Sequence, residues 1–166
     1  MIRHAIPTDA PAICAIYNHY VLHTTITFEE ILVVVGDMEQ RISTVQEKYH
    51  WLVYEEAGKI IGYAYAGQWK PRSAYKHTVE TSVYLAPEEK GRGIGRKLYT
   101  ALIAELRKTD IHGVIGSIAL PNEASIRLHE SMGFKKIGQF IEVGYKFNTW
   151  VDVGYWELML WGVGDI

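Results

Sequence analysis

The chain has a single cysteine, Cys14, among its 166 residues, so no internal disulfide can close, and a free thiol suits a reducing compartment. Net charge is also scarce. A formal value of −2 argues against nucleic acid as the main partner, and the basic residues gather near a glycine-rich stretch instead. No apolar run approaches the roughly 18 residues of a membrane span, and the N-terminus lacks a charged region leading into an apolar core. A cytoplasmic location is the expectation. Repeats, low-complexity tracts and linkers longer than a loop are missing too, so residues 1–166 read as one domain. Metal-ligand spacing is absent: His4, His19, His23, His50, His77 and His112 are scattered, and His129-Glu130 is followed by Gly133 where an HExxH helix needs histidine. No metal is expected.

What is present is ordinary for a globular chain, 48% hydrophobic and 22% charged. Ile2 to Ile6 reads as a strand, and Thr8 with Asp9 reads as the cap of a helix with Ile13, Ile16, Tyr17 and Tyr20 on one face. His23 to Gly36 reads as a loop entering a helix from about Asp37 to Lys48. Trp51–Glu55 and Lys59–Trp69 form a hairpin around Glu56-Ala57-Gly58, and His112–Leu120 is a later strand. A short helix follows from Asn122 to Met132, then strands over Lys135–Glu142 and Lys146–Trp161. The order is β α α β β β α β α β β.

The chain is organised around Thr78 to Leu106, TVETSVYLAPEEKGRGIGRKLYTALIAEL. A β-branched and aromatic strand stops at Pro87. Gly91, Gly93 and Gly95 then allow a tight turn with exposed N–H groups, and Ile94, Leu98, Ala101, Leu102 and Leu106 mark the buried face of a helix. Free N–H groups and the helix dipole make that start an anion site, with Lys90, Arg92, Arg96 and Lys97 adding charge. A pyrophosphate fits there. The GxxxxGK[ST] spacing of a P-loop is absent, and GxGxG departs from the dinucleotide pattern GxGxxG. A turn that is merely glycine-rich is the remaining reading of the spacing alone.

KGRGIG between strand and helix resembles the acetyl-CoA signature of the GNAT superfamily of N-acyltransferases, with Lys90 standing where that pattern has Gln or Arg. PNEASIRLHESMGF resembles the superfamily's second segment. FEE at Phe28–Glu30, the run from Gly62 through KPRSAYKHTVE, and VGYKFNTWVDVGYWEL resemble the phosphinothricin and methionine sulfoximine acetyltransferase group. Nearly the whole chain is covered. The resemblance implies an α/β (α+β) fold, a mixed twisted sheet of about seven strands flanked by about four helices, acetyl-CoA as co-substrate, and a homodimer.

It also implies roles. Glu80, of TVE, takes the place of the general base that deprotonates the acceptor amine; a solvated strand carboxylate is the alternative reading. His129 stands where many relatives place the tyrosine that protonates the CoA thiolate, although a packed helix histidine would look the same. Backbone N–H groups of Val83, Tyr84 and Leu85 are expected to meet the oxyanion and pantetheine, and Gly91, Arg92, Gly93, Ile94, Gly95 and Arg96 the pyrophosphate. Asn122 and Ser125 lie along the CoA arm, or cap a helix, or do both. For the acceptor, the resemblance points to Phe28, Glu29 and the KPRSAY loop, with Arg72 as the planar anchor of an acid group, Lys70 secondary and Tyr75 in the wall. Trp69 is a further wall candidate.

The apolar run Ile31 to Val35 departs from the group, and is expected to line the pocket or a subunit contact. It suggests an acceptor with an apolar side chain, such as methionine sulfoximine or sulfone, in preference to phosphinothricin. The aromatic C-terminal strands suggest the dimer surface. A peptide or protein N-acyltransferase of the same fold and a CoA-binding regulator without turnover are the other function classes.

Overall fold

The computed structural model describes residues 1–160. Among them the elements run β1 (Ile2–His4), α1 (Ala10–His23), α2 (Val35–Gln46), β2 (Trp51–Glu56), β3 (Lys59–Gln68), β4 (Thr78–Leu85), α3 (Ile94–Leu106), β5 (Gly113–Ala119), α4 (Glu123–Ser131), β6 (Lys135–Lys146) and β7 (Thr149–Met159). This is the expected order. The strands form one mixed sheet in the order β1-β2-β3-β4-β5-β7-β6, antiparallel throughout except for β4 beside β5.

That parallel pair is short. It joins Thr78 to Gly113, Val79 to Val114 and Glu80 to Ile115, and then stops. On its other side β4 stays paired with β3 from Val79 to Leu85, while β5 stays paired with β7 from Gly113 to Ala119. Each strand follows its antiparallel neighbour, so the sheet opens between them beyond Glu80.

The two faces are packed differently. Gly62, Ala64 and Ala66 of β3 face α3, whose Leu98, Leu102 and Leu106 are buried with Val79, Val114 and Trp156. Small residues let the helix lie close, and each buried leucine contributes about 1.5–3 kcal/mol. On the other face Tyr63 and Trp51 stack beneath α1 and α2, which bury Ile13, Tyr20, Met38 and Ile42.

Three local readings change. The Asp9 side chain does not cap α1; it takes both Arg3 nitrogens at 2.7 and 2.9 Å and the Ile6 N–H at 2.9 Å, tying β1 to the helix entry. The Arg3 guanidinium holds that carboxyl below the usual range. Helix α2 begins at Val35. The last hairpin turns at Phe147-Asn148, with φ of 52° and 57°, and β6 therefore runs on to Lys146. A phenylalanine there gives no turn signal of the Asn-Gly kind. Trp161, to which the sequence ran the last strand, lies outside the described residues.

A Cβ at Gly62 would sit 2.6 Å from Leu85 Cδ2, 3.2 Å from the Tyr84 carbonyl oxygen and 3.4 Å from Leu98 Cδ1. Gly62→Val is expected to cost about 1–3 kcal/mol by overpacking, read as a lower urea midpoint at unchanged m-value.

Candidate active site

The opening between β4 and β5 joins three hollows into one passage through the sheet. On the α3 side a cavity of about 390 Å³ is lined by the glycine loop, the start of α3, the end of β4 and the first turns of α4. Gly91 and Gly93 have φ of 80° and 73°, left-handed values that glycine adopts without steric penalty, and Gly93 caps α3. The first N–H groups of α3 lack helical partners. Lys90, Gly91, Gly93, Ile94, Gly95 and Arg96 all line this cavity. Arg92 does not. Its guanidinium is held by Glu56 at 3.0 Å and by Glu89, which turns the side chain away from this cavity.

Strand alternation decides which β4 groups face the opening. Ala86 N–H donates to Ile61 of β3, and the Leu85 carbonyl accepts instead from Tyr20 Oη at 2.6 Å. The N–H groups of Val83 and Leu85 therefore point into the gap, and that of Tyr84 points to β3. Tyr84 lines all three hollows, and its ring packs among Tyr17, Tyr20 and Tyr63 on the α1 face. Asn122 accepts the Ser125 N–H at 3.2 Å as the cap of α4, and both residues also line the cavity.

The middle of the passage is a narrow hollow of about 50 Å³ containing Thr81, Ser117, Tyr99 and His129. His129 is 3% exposed. Nδ1 lies 2.8 Å from the Ser125 carbonyl and so carries the proton, while Nε2 lies 3.2 Å from Tyr99 Oη. Burial pushes its pKa down and so favours the neutral ring, and the Ser125 bond offsets this only in part. Both nitrogens are occupied by protein.

On the α1 side a hollow of about 490 Å³ contains Glu80, Ser82 and Tyr84 of β4, Ser117 and Ala119 of β5, Val153 and Tyr155 of β7, Trp69 and Lys70, and Ile26, Thr27, Phe28 and Val143. The Glu80 charge is felt by its neighbours: with burial as the larger cause, it pushes the Tyr65 and Tyr155 hydroxyls up. Lys70 Nζ stands 4.8 Å over the Trp69 ring. One carboxylate and one ammonium thus share a hollow walled by aromatic and aliphatic groups.

Other expected acceptor residues lie elsewhere. Arg72 lines a separate hollow with Lys48, His50 and Lys76. Tyr75 is exposed and lines none of these hollows. Glu29 is held by Arg41 at 2.6 and 2.9 Å and by the Tyr17 hydroxyl, and its pKa is lowered chiefly by Arg41. It is spent on a structural pair. The run Ile31 to Val35 does not line the hollow; Ile31 is 84% exposed, whereas Val33 packs into the α1 core. Ser82 was missed, although a period of two from Glu80 leads to it. Ser117, Val153 and Tyr155 had no such signal. The histidines expected to be unrelated include His4 and His50, whose ligand atoms lie within 4.8 Å of Glu105, but Glu105 already holds Lys108 at 2.7 Å, at the end of α3 remote from the glycine loop.

A sheet parted over a glycine-loop helix start, with inward strand N–H groups, defines a transferase that takes an acyl-CoA on one face and an acceptor on the other. The sequence pattern of the acetyltransferase (GNAT) domain matches residues 2–154, and the chain belongs to that family. The phosphinothricin N-acetyltransferase of Streptomyces viridochromogenes is 38% identical over 94% of this chain and 85% of its own length. The L-methionine sulfoximine/L-methionine sulfone acetyltransferase of Salmonella typhimurium is 40% identical over 96% of this chain and 94% of its own. An acetyltransferase structure from Salmonella typhimurium, with its cofactor acetyl-CoA, superposes with a TM-score of 0.96 at 40% identity, over 98% of this chain and 94% of that one.

A general acid is worth about 10²–10⁴ in rate. Because both His129 nitrogens face protein groups, His129→Gln is expected to lower kcat less than about tenfold, measured as thiol release at saturating substrates. A loss above a hundredfold would restore the direct acid role.

Proposed function

We propose that this acetyltransferase moves the acetyl group of acetyl-CoA to the α-amino group of a small amino-acid-like acceptor of the methionine sulfoximine or sulfone kind. The observation that carries this reading is the pairing of Glu80 with Lys70 in one hollow of about 490 Å³. An amino acid presents one amine and one acid group, and these two side chains complement them. Glu80 takes the proton as the amine nitrogen bonds to the thioester carbon. The oxyanion is held by the Val83 and Leu85 N–H groups; the C–S bond then breaks and CoA leaves as a thiolate, a stable leaving group that solvent protonates. Lys90, Arg96 and the start of α3 hold the pyrophosphate.

The same hollow distinguishes acceptors. Phosphinothricin carries a phosphinate besides its carboxylate, and with Arg72 facing another hollow, Lys70 is the single cation lining this one among the described residues. Its second acid would go unpaired. A methionine sulfone or sulfoximine side chain is uncharged and meets Phe28, Trp69, Val143 and Val153. The preference first suggested by Ile31 to Val35 thus rests on other residues.

We also propose a homodimer. The edge strand β6, its turn and the start of β7 expose Ile137, Phe140, Ile141, Val143, Tyr145, Phe147 and Trp150. An apolar sheet edge is an association surface unless covered, and a second copy of the chain is the occupant we assign. We further propose a cytoplasmic location, which the free Cys14 thiol suits, and one domain over residues 1–166. No described helix is long and apolar enough to cross a membrane.

Thiol release from acetyl-CoA with L-methionine sulfone, L-methionine sulfoximine and L-phosphinothricin tests the acceptor. The sulfone and sulfoximine are expected to show at least about tenfold higher kcat/KM, and Glu80→Gln to lose about 10²-fold or more in kcat with each. Acetylation of a peptide but of none of these amino acids would move the acceptor class, and acetyl-CoA binding without thiol release from any amine would make the protein a regulator. For the dimer, sedimentation is expected to give twice the chain mass, falling to one for Phe140→Glu with Ile141→Lys.

A further inference from the structure

Strand β6 buries only two of its residues, Gly144 and Lys146, and both lie against the loop between α1 and α2. Lys146 is 1% exposed, and its Nζ donates to the Thr27 carbonyl at 2.8 Å. Burial is the main cause pushing its pKa down, and Glu30 and Glu29 oppose it through space. A buried ammonium is costly, and an apolar side chain of similar length would fill the same space more cheaply. The charged end therefore holds a geometry. Two residues earlier, a Cβ on Gly144 would come 2.2 Å from Phe28 Cζ, so the phenyl ring rests on the strand backbone and any larger residue there would displace it. From the other side Tyr17 Oη meets Thr27 Oγ1 at 2.7 Å. Thr27 and Phe28 are thus gripped between α1 and β6, and both line the hollow that contains Glu80.

We infer that Lys146 is a positioning residue for the acceptor: its bond to Thr27, with Gly144 beneath Phe28, latches the α1–α2 loop to β6 and sets the shape of the acceptor hollow. This rests on the amino-acid acceptor reading for its kinetic consequence, though not for the latch itself. The latched residues Thr27 and Phe28 line the acceptor hollow and not the cofactor cavity, which of this loop only Ile26 reaches among the described residues, so loss of the latch acts first on acceptor binding. The chemical step keeps Glu80 and the β4 amides.

Two measurements test this on the full chain, with Lys146→Met and, independently, Gly144→Ala. Hydrogen exchange without any ligand is expected to be faster in peptides covering residues 24–34 of both variants, with the β3–β4 peptides unchanged. Steady-state kinetics with L-methionine sulfoximine is expected to show acceptor KM raised about tenfold, kcat within about threefold and acetyl-CoA KM unchanged. Unchanged exchange over residues 24–34 overturns the latch, whatever the acceptor proves to be. Faster exchange with both KM values unchanged, or with kcat and both KM values altered alike alongside a lower melting temperature, overturns the positioning role. Should the native protein acetylate none of the three amino acids, the acceptor reading fails, and the exchange measurement still decides the latch.

Discussion

Everything at the centre of this molecule depends on β4 leaving β5 after Glu80. A parallel pair of three residues would be a poor piece of sheet on its own, and it persists because each strand is held fully on its outer side, β4 by β3 and β5 by β7. The gap leaves inward N–H groups on β4 without a strand partner. Backbone donors facing a cavity in this way are matched by a ligand with acceptors along its length once water is displaced. The pantetheine arm of acetyl-CoA has amide carbonyls of that kind. The same gap makes one passage of the two faces, which lets an acyl group carried on the α3 side meet an amine from the α1 side.

The charges around the passage are sorted by pairing. Arg92 is tied to Glu56 and Glu89, and Glu29 to Arg41, while Lys90 and Arg96 line the cofactor cavity and Lys70 and Glu80 the acceptor hollow. Paired charges shape loops; those without an ion-pair partner can hold substrate. That distinction separates Arg92 and Glu29, which motif matching had treated like their neighbours, from the groups able to act. It also shows the α1–α2 loop as a braced element, with Arg41 and Tyr17 on one side and Lys146 on the other.

Much of this was legible along the chain because it is local. The glycines at 91, 93 and 95, the apolar spacing of α3 and the cap at Asn122 each express a conformational preference within a few residues, and the structure has each of them. The turn at Phe147-Asn148 was not legible, since one of its two left-handed values falls on a phenylalanine, which gives no turn signal. Arg72 and Tyr75 matched a motif, but the path of the loop turned them from the acceptor hollow, and a motif does not specify where a loop points.

The sequence by itself determined the order of elements, the anion-binding start of α3, the family resemblance and the candidate base, because these follow from short-range sterics, periodicity and motif spacing. Only the tertiary structure decided that β7 lies between β5 and β6, bringing Val153 and Tyr155 across to Glu80, and that Lys146 reaches the Thr27 carbonyl 119 positions away. The physical reason is that strand order and side-chain pairing across such separations arise from burial of the whole sheet. No window of neighbouring residues encodes them.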